Sequence, residues 1–308
     1  MTQVESAPLV RNGSQGWLAA VGLSVLFVLI WSGGYLVGTI GAHSGPPLAL
    51  AAWRFLAAFV VIGVVALVTR APWPTDPRVY AHLLLTGALL QTGQLGGIYV
   101  GLGNGVPAGL SSLVLSASPL VVAAAAVPIF GEKLAGQQWL GLGIGLLGVG
   151  ISLAGKLSNS GNVIGYVSTG LAVLAFAAGT LYQKKFGQTV DLRTGTTIQL
   201  LGATVTCFPL AAAYGGLHLP LTLPALGSLA WLAIVNSIGA LMLLFVLLRR
   251  SSGGAATSLL YLVPPVTALL AVPLLGQPVT TSIFLGMAVS AVGVTLVLVK
   301  RKVRRPAR

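Results

Sequence analysis

The stretch LSASPLVVAAAAVPIFG, Leu115 to Gly131, returns 145 residues later as LYLVPPVTALLAVPLLG, Leu260 to Gly276. Leu115, Pro119, Ala123, Ala126, Val127, Pro128 and Gly131 meet Leu260, Pro264, Ala268, Ala271, Val272, Pro273 and Gly276. The same offset pairs Leu140, Gly141, Gly148 and Val149 with Leu285, Gly286, Gly293 and Val294. One offset serving two separate segment pairs is hard to obtain by chance and marks an internal duplication.

Both copies are too apolar for a water-exposed fold. The 308 residues are 56% hydrophobic and 7% charged, against roughly 25% charged in an average soluble domain. Gly at 41 positions suits close helix packing in lipid, where the 17 Pro are tolerated as kinks. A net charge of +13 suggests nucleic acid only if it forms a solvated face, and here the basic residues sit between apolar runs. Lone Cys207 offers no disulfide and no Cys-rich metal site.

Apolar runs of about 20 residues match a hydrocarbon core roughly 30 Å thick. They fall near 17–40, 47–69, 80–101, 106–129 and 137–155, and again near 162–182, 194–214, 225–247, 254–275 and 280–299. The expected fold is all-α and integral to the membrane, with ten transmembrane helices. A tail over 1–16 precedes a first five-helix repeat over 17–155, a linker over 156–161, a second repeat over 162–299 and a basic tail over 300–308. The first span is too long for a signal h-region and has no cleavage site, so it is expected to be retained.

An even span count puts both termini on one side. That side collects Arg11, Arg70, Arg78, Lys133, Lys184, Lys185, Arg193, Arg249, Arg250 and six tail residues from Lys300 to Arg308. The other side has Lys156 alone, so both termini are expected in the cytoplasm. The tail also offers its charges to anionic lipid.

Five spans per repeat is odd, so the copies enter the membrane in opposite senses. Inverted repeats recur in secondary transporters, whose halves exchange conformations around a midplane site. Alternating access is therefore the favoured mechanism, with a channel or a duplicated scaffold as alternatives.

Trp31-Ser32-Gly33-Gly34, Pro46-Pro47 leading to Arg54-Phe55, and Pro119 followed by Gly131-Glu132-Lys133 together resemble the ten-helix EamA-like branch of the drug/metabolite transporter superfamily. The second copy carries Gln199 and Gln277 where the first has Arg54 and Glu132. The resemblance implies ten helices around a central cavity in a bacterial inner membrane. It also implies export of amino acids, related metabolites or toxic organic compounds.

Ser112, Ser116 and Pro119 share one helix face, and Thr257, Tyr261 and Pro264 repeat them. An interior proline strips the carbonyl four residues earlier of its donor, here Leu115 and Leu260, and kinks the helix; Pro119 and Pro264 are the candidate hinges. Gln91 and Asn236 repeat each other, with Gln94 one turn from Gln91, and their amides should avoid lipid. Trp31 and Tyr35 face Phe176 and Thr180, with Ser32 and Tyr182 nearby, as candidates to stack on or bond a solute. For each, packing or self-bonding is the competing reading.

Arg54 is the one charge well inside a span, roughly 10 Å below the outer surface at ~1.5 Å per residue. Two readings stand: a brace that snorkels or bonds loop carbonyls, and a captor of carboxylate. The four acidic residues, Glu5, Asp76, Glu132 and Asp191, all fall outside the spans, so no obvious proton or sodium carrier stands in them. Transport driven by the substrate's own gradient or by exchange follows as an expectation. Within the spans there is no acid pair, no His-Glu-x-x-His and no nucleophile with a base, which disfavours an enzyme. No metal, cofactor, nucleic acid or obligatory protein partner is expected, only a small-molecule substrate and membrane lipid. A lipid or lipid-linked sugar flippase on the same scaffold is the main alternative function.

Overall fold

The computed structural model describes residues 14–132, 134–154, 163–187, 190–240, 243, 247 and 259–298; every regular element among them is helical. A chain without water must bond its own backbone, and a helix does so within one segment. Seven helices are long and apolar enough to cross a membrane: α1 (Ser14–Ser44), α2 (Pro47–Val68), α3 (Pro77–Gly103), α4 (Ala108–Phe130), α5 (Gly136–Ala154), α6 (Val163–Phe186) and α7 (Leu192–Ala213). Three shorter apolar helices follow: α8 (Leu223–Ser237), α9 (Leu259–Leu275) and α10 (Thr281–Leu298). Residues 1–13 of the expected N-terminal tail, the C-terminal tail, the 156–161 linker, part of the 225–247 span and the start of the 254–275 span lie outside the described residues, and α1 begins at Ser14, within the expected tail.

Local chemistry sets the helix ends. Asp76 and Asp191 cap α3 and α7 by accepting from the backbone N–H of Arg78 at 2.8 Å and Arg193 at 2.9 Å. Gly131 and Gly276 close α4 and α9 in the left-handed region, at φ 66° and 63°, where a Cβ is disfavoured. The offset of 145 recurs in these boundaries: α2 and α7 begin and end that far apart, as do Ser118–Phe130 and Val263–Leu275.

Interruptions follow the same pairing. A nine-residue π-helical stretch, Ala88–Gly96, lies within α3, and α8 runs into another, Trp231–Gly239. Helix α4 breaks at Ala117, and α9 opens on a 3-10 turn, Leu259–Leu262. Pro119 and Pro264 therefore sit in the first turn of a fresh helical segment, where a missing N–H costs nothing, and not inside a continuous helix as expected. The carbonyl of Leu115, expected to be free, accepts from the Ser118 hydroxyl.

Small residues let the helices touch. Gly93, Gly97 and Gly101, four apart, lay one face of α3 against Ala175, Ala172 and Thr169 of α6. Helices α5 and α10 run antiparallel: the amides of Gln137 and Gln138 reach the carbonyls of Leu296 and Val297, Gly148 lies on Gly286, and Ser290 donates to the Gly145 carbonyl at 3.2 Å. Helices α2 and α7 are also antiparallel, with Cys207 against the Leu48 carbonyl and Gly63 beside Thr197. The main core, from Phe27 through Phe55 and Tyr99 to Leu232, joins α1, α2, α3, α7, α8 and α9.

Direct contacts tie the helices together at both ends of the bundle, and at one end they join the segments around Trp53, Leu217, Gln277 and Ala108. There the Trp53 indole donates to the Leu217 carbonyl at 3.0 Å, Gln277 accepts from the Ala108 N–H at 3.0 Å, and Gly45 lies against Pro220. At the opposite end Thr194 bonds the Pro72 carbonyl at 3.0 Å and Lys184 pairs with Glu132.

A central cavity around a buried arginine

A cavity of about 490 Å³ lies between α1, α2, α3, α4, α6, α7, α8 and α9. Its lining runs from Tyr35 and Tyr99 to Thr196, one turn from the start of α7 at the Asp191 end. The wall is mostly apolar, with Trp31, Ile62, Leu90, Ile98, Phe176 and Leu260 among its residues. A cleft of this kind, with a few placed polar groups, is the usual form of a small-molecule site.

Arg54 is 4% exposed and lines the cavity, and its guanidinium bonds to partners from α3 and α8. Nε donates to Ser237 Oγ at 3.2 Å, and Nη2 to Ser237 Oγ at 3.1 Å and Asn236 Oδ1 at 2.9 Å. Nη1 donates to the Tyr99 hydroxyl, whose ring centre is 5.7 Å from Arg54 Cζ. The side chain neither snorkels nor bonds loop carbonyls, as the first of the two expectations supposed. It turns inward because α3 and α8 supply oxygens at its own depth.

The Trp31-Ser32-Gly33-Gly34 motif shapes this cluster. Gly33 makes room for the Trp231 indole, and an added carbon at Gly34 would fall 2.8 Å from Asn236 Nδ2. Asn236 also donates from Nδ2 to the Ile30 carbonyl at 3.0 Å, tying α8 to α1. Both π-helical stretches face the cavity, one with Gln91 and Gln94, the other with Asn236 and Ser237. Such widened turns often occur where a helix must present side chains for function.

Of the residues singled out in the sequence, Trp31, Tyr35, Arg54, Gln91, Gln94, Ser112, Ser116, Pro119, Phe176, Asn236 and Tyr261 line the cavity. The side chains of Tyr35, Gln91, Gln94 and Tyr261 make no hydrogen bond among the described residues, and all four line the cavity. Ser112 and Ser116 donate to their own helix at 2.8 and 2.7 Å, the self-bonding alternative, and present only lone pairs inward.

Four others lie elsewhere. Ser32, 0% exposed, turns away from Trp31 and donates to the Val263 carbonyl at 3.4 Å. Thr180, one turn beyond Phe176, and Tyr182 are outside the lining; Tyr182 meets His82 Nδ1 at 2.7 Å at the Lys184 end of α6. Pro264 is buried and off the lining, and Thr257 lies outside the described residues.

The cavity also holds Tyr99, Thr196, Gln199 and Ser237, which the sequence reading did not select. Tyr99 is eight residues from Gln91, a helical spacing that marks the same face. Gln199 is the repeat counterpart of Arg54. Ser237 had no signal, because adjacent residues normally diverge by ~100° around a helix.

A helical membrane bundle enclosing a mostly apolar chamber defines the general class as multi-pass membrane proteins with an internal solute-sized site. The chain belongs to the EamA-like transporter family, which matches it twice, over residues 18–154 and 163–299. A protein named probable amino-acid metabolite efflux pump from Salmonella typhimurium is 28% identical over 297 residues, 93% of this chain and 97% of that one. The same name belongs to an Escherichia coli K12 protein, 32% identical over 166 residues, about half of each chain. The uncharacterized inner membrane transporter YedA of E. coli K12 is 30% identical over 272 residues, 87% of both. A solved crystal structure at 20% identity shares the fold, with a TM-score of 0.60 over 91% of this chain and 96% of that one.

Proposed function

We propose that the chain is a secondary transporter that exports small organic solutes, amino acids or related metabolites and drugs, through this cavity by alternating access. The carrying observation is the chamber itself, which lies between eight helices and reaches from the Arg54 cluster to Thr196. In this reading the basic bias puts the Thr196 end of the chamber toward the cytoplasm, the side from which an exporter loads.

Ten spans in two inverted halves supply the moving parts. The pairing of Gly141 with Gly293 in α5 and α10 becomes, after a shift of 145, that of Gly286 with Gly148, and both contacts are present. An antiparallel contact that maps onto itself supports a two-fold axis in the membrane plane. The amino-acid reading rests on the printed names of relatives at 28% and 32% identity. Substrate gradient or exchange drives the cycle in this reading; flux that follows an imposed pH gradient without counter-substrate contradicts that.

Uptake into inside-out vesicles tests the function, with a panel of amino acids, purines and cationic dyes. Gln91→Ala and Tyr261→Phe should lower flux of the transported solute several-fold while the protein stays folded. Unchanged flux in both removes the cavity from the route.

A lipid flippase is the second reading, favoured by an apolar cleft between α1 and α9 lined by Val21, Val25, Leu29, Leu259, Leu262 and Val266. Scrambling of fluorescent lipid without solute flux in the same vesicles selects it.

A further inference from the structure

Among the described residues Arg54 is the only charged side chain lining the cavity, and none of the lining residues is acidic. Of the four acidic residues, Asp76 and Asp191 cap helices, Glu132 pairs with Lys184 at an exposed helix end, and Glu5 lies outside the described residues. The guanidinium is held entirely by neutral oxygens, so its positive charge faces the chamber without a counter-ion among the described residues.

Four of its five N–H donors at most are engaged by these bonds, which leaves one on Nη1 for a ligand. The Tyr99 oxygen accepts from Nη1, which frees its own O–H to donate in turn. Two adjacent donors, one charged, match the two oxygens of a planar carboxylate. A phosphate would leave charge unmet, because no second cation among the described residues lines the site. The rest of the wall, including Trp31, Leu95, Phe176 and Leu260, suits an apolar body. An ammonium finds only neutral oxygens among the described residues, those of Gln91, Gln94, Gln199, Ser112 and Ser116 among them.

We infer that Arg54 and Tyr99 form a carboxylate site, and that the cavity takes monocarboxylates with an apolar body, with or without an amino group, and rejects organic cations. This narrows the substrate class and rests on the reading of the cavity as the solute site.

Equilibrium dialysis of the purified full-length chain in detergent tests it with 3-phenylpropionate, phenylalanine, indole-3-acetate, acetate, inorganic phosphate and phenethylamine. The larger carboxylates should bind saturably, with phenethylamine and phosphate at least 10-fold weaker. Arg54→Gln should weaken carboxylate binding at least 10-fold. Tyr99→Phe, which keeps the guanidinium and its bonds to Asn236 and Ser237, should weaken it about 3- to 10-fold. It guards against an Arg54→Gln chain that fails to fold.

Binding of phenethylamine or phosphate as tight as 3-phenylpropionate overturns the inference. So does undiminished carboxylate binding in folded Arg54→Gln or Tyr99→Phe, or saturable binding of no carboxylate by the folded wild type. Carboxylate binding without flux in vesicles leaves the site standing and removes the transport reading; flux of amines indifferent to Arg54→Gln does the reverse.

Discussion

Arg54 is stable in its position because its partners outweigh its burial. A cation inside a span costs about 2.5–3.5 kcal/mol, whereas a hydrogen bond to a charged group contributes about 1.5–3 kcal/mol, and Arg54 makes four. Its charge is still uncompensated: a carboxylate 5 Å away at an effective dielectric of about 20 gains roughly 3 kcal/mol. Gly34 guards this arrangement. Gly34→Ala should push the Asn236 amide from the guanidinium, lower stability by about 1–3 kcal/mol and weaken carboxylate binding; thermal unfolding and dialysis on one sample check both. At this scale the sequence marked Arg54, Asn236, Gln91 and Tyr35 through charge and amides in apolar runs. It could not show that Ser237 joins Asn236 on one guanidinium, since that depends on a widened turn.

Helix packing here is set by where a methyl group fits. A carbon added at Gly148 would meet the Ser290 N and Gly286 O at 2.5 and 2.6 Å, whereas two residues along, at Gly150, nothing lies within 4 Å. Gly148→Ala should therefore destabilise by about 1–3 kcal/mol. Gly150→Ala should stabilise by about 0.5–1 kcal/mol through lost chain entropy, and both are read in detergent unfolding.

Helix starts add a pH signature. The Arg193 side chain bonded to Asp191 holds that carboxyl down at about 2, against an ordinary 3.8. A depressed carboxyl contributes stability above its unfolded value and loses it as pH falls through the folded one, so the cap should persist to about pH 4 and fail toward 2. Carboxyl NMR of Asp191 should titrate near 2 and rise toward 3.8 in Arg193→Gln. The prolines were misplaced at this scale, because Pro119 and Pro264 look alike in sequence whether they kink one helix or begin another.

At the scale of the whole molecule the all-helical, membrane-spanning class was legible, since apolar length depends only on the solvent. The 145 offset, read from a handful of side chains, reappears in the bounds of α2 and α7. Which loops meet at each end was not legible, because their meeting rests on single contacts such as Trp53 with Leu217. Sidedness is open to direct labelling. In a Cys207→Ala background, His218→Cys should react with an impermeant maleimide from outside intact cells, and Thr75→Cys only after permeabilisation; the reverse pattern inverts the topology.

Alternating access is most directly tested by counterflow in proteoliposomes loaded with an unlabelled solute identified by the vesicle panel. Labelled solute added outside should accumulate transiently above equilibrium, and Gln91→Ala should abolish the overshoot. A simple approach to equilibrium without overshoot, at a rate that does not saturate, means an open pore and contradicts a carrier.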